Sequence, residues 1–445
     1  MAVTERRPLL RADSGLVSRI DGGVLACVYV LTLTVVPAQL ALSGLPLNLP
    51  PSELFGLLLG GLWLVSHMVG PLGMAKGRNP VRTLVLAYVV VQLVTYGKNA
   101  GFAGLPADEL QSTDRTLLVL FGFLAVALFV CDAVCTLHQV ELILKTVVLG
   151  ASFMALMGAI QFLAGVDLTR HLILPGLRSY SENVTILERS IFRRPAGTAG
   201  HPIEYGVVCA FALPFAVHYS LTGARPWPRL PSPWWVTTAL LASGVLFSLS
   251  RSATLGVAAV GLTLFPQWTW RRRRQILLLT LAFLVVARLA VRGLVGTIVS
   301  LFTNFNNDVS IQGRENDYGP MLIEIDRHVW WGRGIGTFLP LKYTWLDNQY
   351  LMTLVENGII GMTVFILLGM SGVYAAFRVR SRVRDPQVRS ICVSMIAALA
   401  VSGITAATFD LMAYQMISGL TFLIVGLGGA MLRHLGPERD TPAPR

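Results

Sequence analysis

The feature that most constrains this chain is a succession of apolar runs, each long enough to cross the ~30 Å hydrocarbon core of a bilayer, which takes about 20 helical residues. They fall near residues 24–42, 53–70, 81–97, 116–135, 142–163, 202–219, 233–250, 252–268, 275–292, 350–376, 390–409 and 412–432. Backbone polar groups in lipid find no water, so each run is expected to be a helix that closes its own hydrogen bonds. Only 13% of the 445 residues are charged and 54% are hydrophobic, whereas soluble domains keep about a quarter of their residues charged. The expectation is an all-α, polytopic membrane protein of about 12 transmembrane helices. Its transmembrane domain covers 24–432, with cytoplasmic tails at 1–23 and 433–445. Arg6, Arg7 and Arg11 precede the first run, a pattern that an uncleaved first span fits better than a cleaved leader, because many spans follow.

The net charge of +12 raises the question of nucleic acid, but the basic residues sit in short clusters between apolar runs. With the N-terminus in the cytoplasm, the inner segments hold 22 of the 36 Lys and Arg residues and the outer segments 14. Clusters such as Arg271–Arg274 and Arg378, Arg380, Arg382 then face inward, as the positive-inside rule expects. The five cysteines show neither metal-ligand spacing nor a disulfide framework; Cys131 and Cys135 read as small buried residues sharing a helical face. Two outer segments are long, at about 165–201 and about 293–349, the latter preceding span 10. Long ordered loops are usually functional, so the chemistry is expected outside the membrane. Within the second loop, Pro320 to Trp331 reads as a helix on the membrane surface, with Leu322, Ile325 and Val329 on one face.

Four outward elements concentrate polar groups: Arg193–Pro202, Ser248–Ser252, the stretch from Gly313 to Gly336, and Asp347–Gly361. Arg251 sits in a turn so short that its guanidinium must lie at or inside the membrane boundary, which costs a few kcal/mol unless it is paired or solvated. It either snorkels to headgroups or binds an anion through its planar fork. Arg194 and Arg314 offer the same chemistry in loops. Asp347, where the second loop re-enters the membrane, is either a helix N-cap or a carboxylate poised to take a proton from an attacking hydroxyl. Gly332–Gly336 offers backbone N–H groups to a phosphate, although a simple loop is the plainer reading. Asn183-Val184-Thr185 matches a glycosylation pattern by chance frequency alone.

Taken in order, Ser250-Arg251-Ser252, Gly332-Arg333-Gly334-Ile335-Gly336, Asp347-Asn348-Gln349-Tyr350-Leu351 and Glu356-x-Gly358-x-x-Gly361 resemble the shared domain of O-antigen ligases and O-antigen polymerases. Arg194–Pro202 resembles a further stretch of that family, so the likeness covers about residues 190–430. The resemblance implies a glycosyltransferase of the cell (plasma or inner) membrane that uses an isoprenoid-diphosphate-linked glycan, without metal, nucleotide sugar or other cofactor. Its partners would be a glycan acceptor, the bilayer and polysaccharide export machinery. Displacement at the anomeric carbon would be inverting, with Asp347 as base and Arg194, His201, Arg251, Arg314, Arg333 and Asn348 as substrate-binding residues. Ligases of the family generally carry histidine where this chain has Asp347, which inclines the reading toward a polymerase joining lipid-linked repeats; a ligase with a different acceptor is the alternative. A transporter or flippase also fits twelve spans, but no repeat symmetry relates the halves, and the polar groups gather at the outer face rather than midway through spans. Reporter fusions at Arg272 and Arg382 are expected to read cytoplasmic and fusions near Ser310 extracytoplasmic; protection of Ser310 from an impermeant label would reverse the placement.

Overall fold

The computed structural model describes residues 21–44, 48–69, 78–102, 104–172, 174–179, 187–189, 192–223, 232–303, 319 and 321–434. Arg314, Ser310 and Asn183 lie outside the described residues. The fold is a helical bundle: α1 Gly22–Val35, α2 Pro51–Met68, α3 Pro80–Tyr96, α4 Ala107–Ala133, α5 Leu137–Ala164, α6 Pro202–Thr222, α7 Trp234–Phe247, α8 Arg251–Leu264, α9 Trp270–Ala290, α10 Leu294–Thr303, α11 over 321–327, α12 Gln349–Arg382, α13 Pro386–Thr405 and α14 Gln415–His434. Among the described residues seven helices are long and apolar enough to span a membrane: α3 to α6 and α12 to α14. An eighth is the pair α9 and α10, bent by 109°. Helices α1, α7 and α8 have 14 residues each, or about 21 Å of rise.

Local chemistry sets the ends. Asn79 caps α3 and Asp385 caps α13, each followed by proline at the first helical position. Thr136 and Gln139 form a capping box on α5, which ends at Gly165 in the left-handed region. The first apolar run is not helical to residue 42. Helix α1 stops at Val35 because Val36 precedes Pro37 and turns extended, and Leu40–Leu42 pairs antiparallel with Leu177–Ser179. Helices pack through small residues: a Cβ at Gly426 on α14 would lie 2.6 Å from the Ala127 carbonyl oxygen on α4. At one end of the bundle the buried Asp132 accepts from Trp63 Nε1 (2.9 Å), Arg82 Nη1 (3.2 Å) and Arg433 Nη1 (3.2 Å), joining α2, α3, α4 and α14. A buried carboxylate costs several kcal/mol unless it is paired and hydrogen-bonded in this way. Cys131 is buried beside it and Cys135 exposed, so the two do not share one environment.

At the opposite end α12 is broken. Gly358 has φ 62 and ψ −167, which interrupts the helical ladder. The Gly332 turn crosses the break: Arg333 N donates to Val355 O (2.9 Å) and Gly334 N to Glu356 O (2.8 Å). In return Ile359 N donates to Val329 O (2.9 Å). The backbones approach so closely that a Cβ on Gly332 would sit 2.2 Å from the Glu356 carbonyl carbon, and one on Gly358 2.4 Å from that of Trp330. Ahead of this turn, α11 buries Met321, with Ile325 half-buried behind it, against Phe338, Leu346 and Val355. Leu322 is exposed, so the buried face is offset by one residue from that expected, and Trp330 and Trp331 lie beyond the helix. Gly332→Ala and Gly358→Ala are each expected to cost about 1–3 kcal/mol of backbone strain and a similar amount of overpacking. Gly369→Ala, whose Cβ meets open space, is expected to leave the melting temperature unchanged or higher in the same thermal-shift assay.

Candidate active site

Between α5 and α6 a short hairpin, Leu187–Arg189 with Phe192–Arg194, delivers Arg194 to a tight loop. Gln161 of α5 clamps that loop, its Oε1 accepting from Ala196 N (3.1 Å) and Gly197 N (2.8 Å). Thr198 ties it to the end of α1 by donating to Thr34 O (2.6 Å). His201 then caps α6, its Nδ1 accepting from Ile203 N at 3.2 Å, so the ring proton resides on Nε2. Burial, with Arg194 adding to it and Asp347 opposing, lowers the His201 pKa to about 4; the ring is a neutral donor at physiological pH. Three residues on, the buried Glu204 accepts from Gly200 N (2.9 Å) and Met416 N (2.7 Å), fixing this loop to the start of α14.

The second element is the α7–α8 turn. Leu249 is wholly buried with φ 46, a left-handed conformation that branched side chains avoid. Such strain persists only where surrounding contacts impose it, here packing against Phe162 and Leu294. The turn aims Ser248 O at Arg194 Nε (3.2 Å) and starts α8 at Arg251. Arg251 Nε donates to Leu301 O of α10 at 2.7 Å, which ties the side chain to that helix.

The third element brings the re-entry point of the long loop onto the α13–α14 connection. Gln349 N donates to Ala406 O (2.8 Å), its Oε1 accepts from Met412 N (2.6 Å), and Thr408 Oγ1 donates to Ser252 Oγ of α8 (2.7 Å). The cap of α12 is Asn348, whose side chain accepts from Tyr350 N (3.0 Å) and Leu351 N (3.2 Å). Asp347 is therefore not the cap; it stands one residue outside, exposed on this surface. Asp410 lies close enough to feel it: burial, helped by the charge of Asp347 and opposed by the N–H groups of Ala413 and Met412, raises the Asp410 pKa to about 7. Tyr414 packs its ring 5.8 Å from that of His201. Arg194, His201 and Asp347 thus meet in one electrostatic cluster, with Arg251 joined through Ser248 and Ser252.

Residues 236–366 match the family model described as O-antigen ligase. That match supports an enzyme of glycosyltransferase type, and the seven long apolar helices support a multi-pass membrane protein. No curated protein matches the chain. A chain from a solved structure described as "Structural coordination of polymerization and crosslinking by a peptidoglycan synthase complex" is similar over 80% of this chain and 96% of its own, at 15% identity and a TM-score of 0.40. The ligase domain supplies Arg251, Asp347 and Asn348, while Arg194 and His201 come from the segment before it.

Within the ligase domain Arg333 departs from the sequence reading. Its guanidinium binds Glu109 Oε2 and Glu324 Oε1, each at 3.0 Å, and lies over the Tyr343 ring. Lys342 Nζ reaches the same Glu109 at 2.6 Å. A buried carboxylate demands such partners, and the network pins the loop to the start of α4. The N–H groups of Arg333, Gly334 and Gly336 are likewise used by Val355 O, Glu356 O and Glu356 Oε1 (2.9, 2.8 and 2.7 Å), so this turn presents none of them to a phosphate. The sequence reading assigned nothing to Asp410, Tyr414, Gln349 or Glu204; an acidic residue inside the apolar run beginning at 202 was the available signal for Glu204. Asn348→Ala is expected to lower stability by about 1 kcal/mol through loss of the cap, whereas Asp347→Ala leaves it within about 0.5 kcal/mol, as at surface positions, in parallel thermal unfolding.

Proposed function

We propose that the protein is an extracytoplasmic polysaccharide polymerase with about 12 spans and both ends in the cytoplasm. It transfers a glycan from an isoprenoid-diphosphate carrier to the hydroxyl of another lipid-linked glycan. Arg194 and Arg251 receive the diphosphate, whose charge grows as it leaves, and fixed cationic donors stabilise that developing charge most. The His201 Nε2–H group is a neutral donor beside them. Asp347 takes the proton of the acceptor hydroxyl as its oxygen bonds to the anomeric carbon. The carbon–oxygen bond to the diphosphate breaks with its electron pair going to the leaving group, and configuration inverts without a metal. Asn348 holds the start of α12 so that Asp347 faces the cluster, and Arg314, outside the described residues, completes the proposed cationic set. The observation that carries the reading is that Asp347 adjoins the arginine–histidine cluster while its neighbour performs the capping.

A ligase reading rests on the same chemistry with another acceptor and draws on the family's description; aspartate at 347, where ligases resembling this chain carry histidine, favours the polymerase. Asp347→Asn is expected to reduce transfer by about 10²–10⁴-fold, the usual general-base contribution, with expression unchanged and polymer shortened or absent on gels. Arg251→Lys is expected to be nearly as damaging as Arg251→Ala, because lysine lacks the bidentate fork. Full polymer length in either Asp347→Asn or Arg251→Lys would refute the assigned role of that residue.

A further inference from the structure

Asp410 also lines a cavity of about 350 Å³. Its walls come from α2, α3, α4, α12, α14, residues 335–340 and the α13–α14 connection. Its polar lining includes Glu53, Arg115, Gln349, Glu356, Asn357 and Asp410. Two of these are left incomplete: Glu53 is 6% exposed and Asn357 2%, yet Glu53 Oε2 and Asn357 Oδ1 have no hydrogen-bond partner among the described residues. Buried polar atoms are nearly always satisfied, and exceptions require a reason. Other lining groups are committed, Glu356 Oε1 to Gly336 N (2.7 Å) and Gln349 Oε1 to Met412 N (2.6 Å).

We infer that this cavity is a sugar subsite that holds the terminal residue of the acceptor glycan as a neutral pyranose. The unsatisfied atoms are both acceptors, so the missing ligand brings donors. A diphosphate offers only acceptor oxygens and cannot supply them. Among the described residues no three acidic, histidine or cysteine side chains converge as ligands for a metal ion. Hydroxyl groups meet the requirement, because each donates to a carboxylate or amide oxygen and also accepts from Arg115. Phe123 and Phe338 supply apolar wall for the faces of a ring. The volume is at the small end of ligand cavities and suits a sugar rather than a polyprenyl chain. The choice of acceptor over donor rests on the proposed function: in an inverting displacement the hydroxyl approaches opposite the leaving group, and Asp410, which lines this cavity, feels the charge of Asp347, the proposed base.

The test uses the full chain in lipid nanodiscs, titrated with glucose, galactose, mannose and N-acetylglucosamine, and separately with inorganic pyrophosphate, by saturation-transfer NMR. At least one sugar is expected to bind the wild type, and Glu53→Met to weaken it by roughly tenfold or more, as expected for a lost hydrogen bond to a charged group. Met preserves volume and removes an unpartnered carboxylate, so thermal stability is expected to hold or rise, which separates lost binding from misfolding. Asn357→Leu is expected to weaken the same sugar, while Arg251→Ala spares it and abolishes pyrophosphate binding. In transfer assays Glu53→Met raises KM for the acceptor and leaves that for the donor; a raised donor KM would instead assign the cavity to the donor sugar and overturn the inference. Failure of all four sugars to bind, sugar binding indifferent to Glu53→Met, or pyrophosphate binding that is lost in Arg115→Ala would each overturn it as well. Sugar binding without any pyrophosphate binding would leave the cavity assignment standing and sink the diphosphate reading of the arginines.

Discussion

The backbone exchange between the Gly332 turn and the break in α12 is the constraint from which the site follows. A helix interrupted at Gly358 orphans the carbonyls just before the break, and in an apolar bundle water does not satisfy them. The loop's N–H groups do so, meeting Val355 O and Glu356 O, and Ile359 returns a bond to Val329 O. Only glycine at 332 and 358 permits the approach. Once the turn is seated, its register is fixed. Gly336 then meets the Glu356 carboxylate, and Arg333 meets Glu109 at the start of α4. The long loop therefore returns to the bundle along one path, and Asn348 begins α12 where the charge of Asp347 acts on His201 and Asp410.

The same rule of polar satisfaction explains how buried carboxylates bind separate elements together. Asp132 is consumed by Arg82, Arg433 and the Trp63 indole at one end of the bundle. At the other end Glu204 is consumed by the N–H groups of Gly200 and Met416, and Glu109 by Arg333, Lys342 and Tyr343. Each case pairs a buried carboxylate with donors from a different element, which is how separate helices acquire one arrangement. Arg194 and Arg251 differ in that their Nε bonds go to backbone carbonyls, Ser248 O and Leu301 O. A carbonyl orients a guanidinium, and these two bonds fix where the two side chains lie.

The sequence by itself determined the helical class, the apolar runs and the likeness to O-antigen ligases, because each of these is written in local composition and spacing. It also drew Arg194, His201, Arg251 and Asp347 together as candidates, since polar groups between apolar runs are rare and conspicuous. Tertiary structure alone decided their local partners. Whether Asp347 or Asn348 caps α12 depends on which side chain reaches back to Tyr350 N and Leu351 N, and the two positions are equivalent in a string. Arg333 reads like the other arginines until Glu109, more than 200 residues away, is folded against it. The ends of α1, the offset face of α11, the closing of the Gly332 N–H groups and the unsatisfied Glu53 and Asn357 belong to the same class. They depend on long-range approaches of backbone and side chain, which hydrophobic periodicity does not encode.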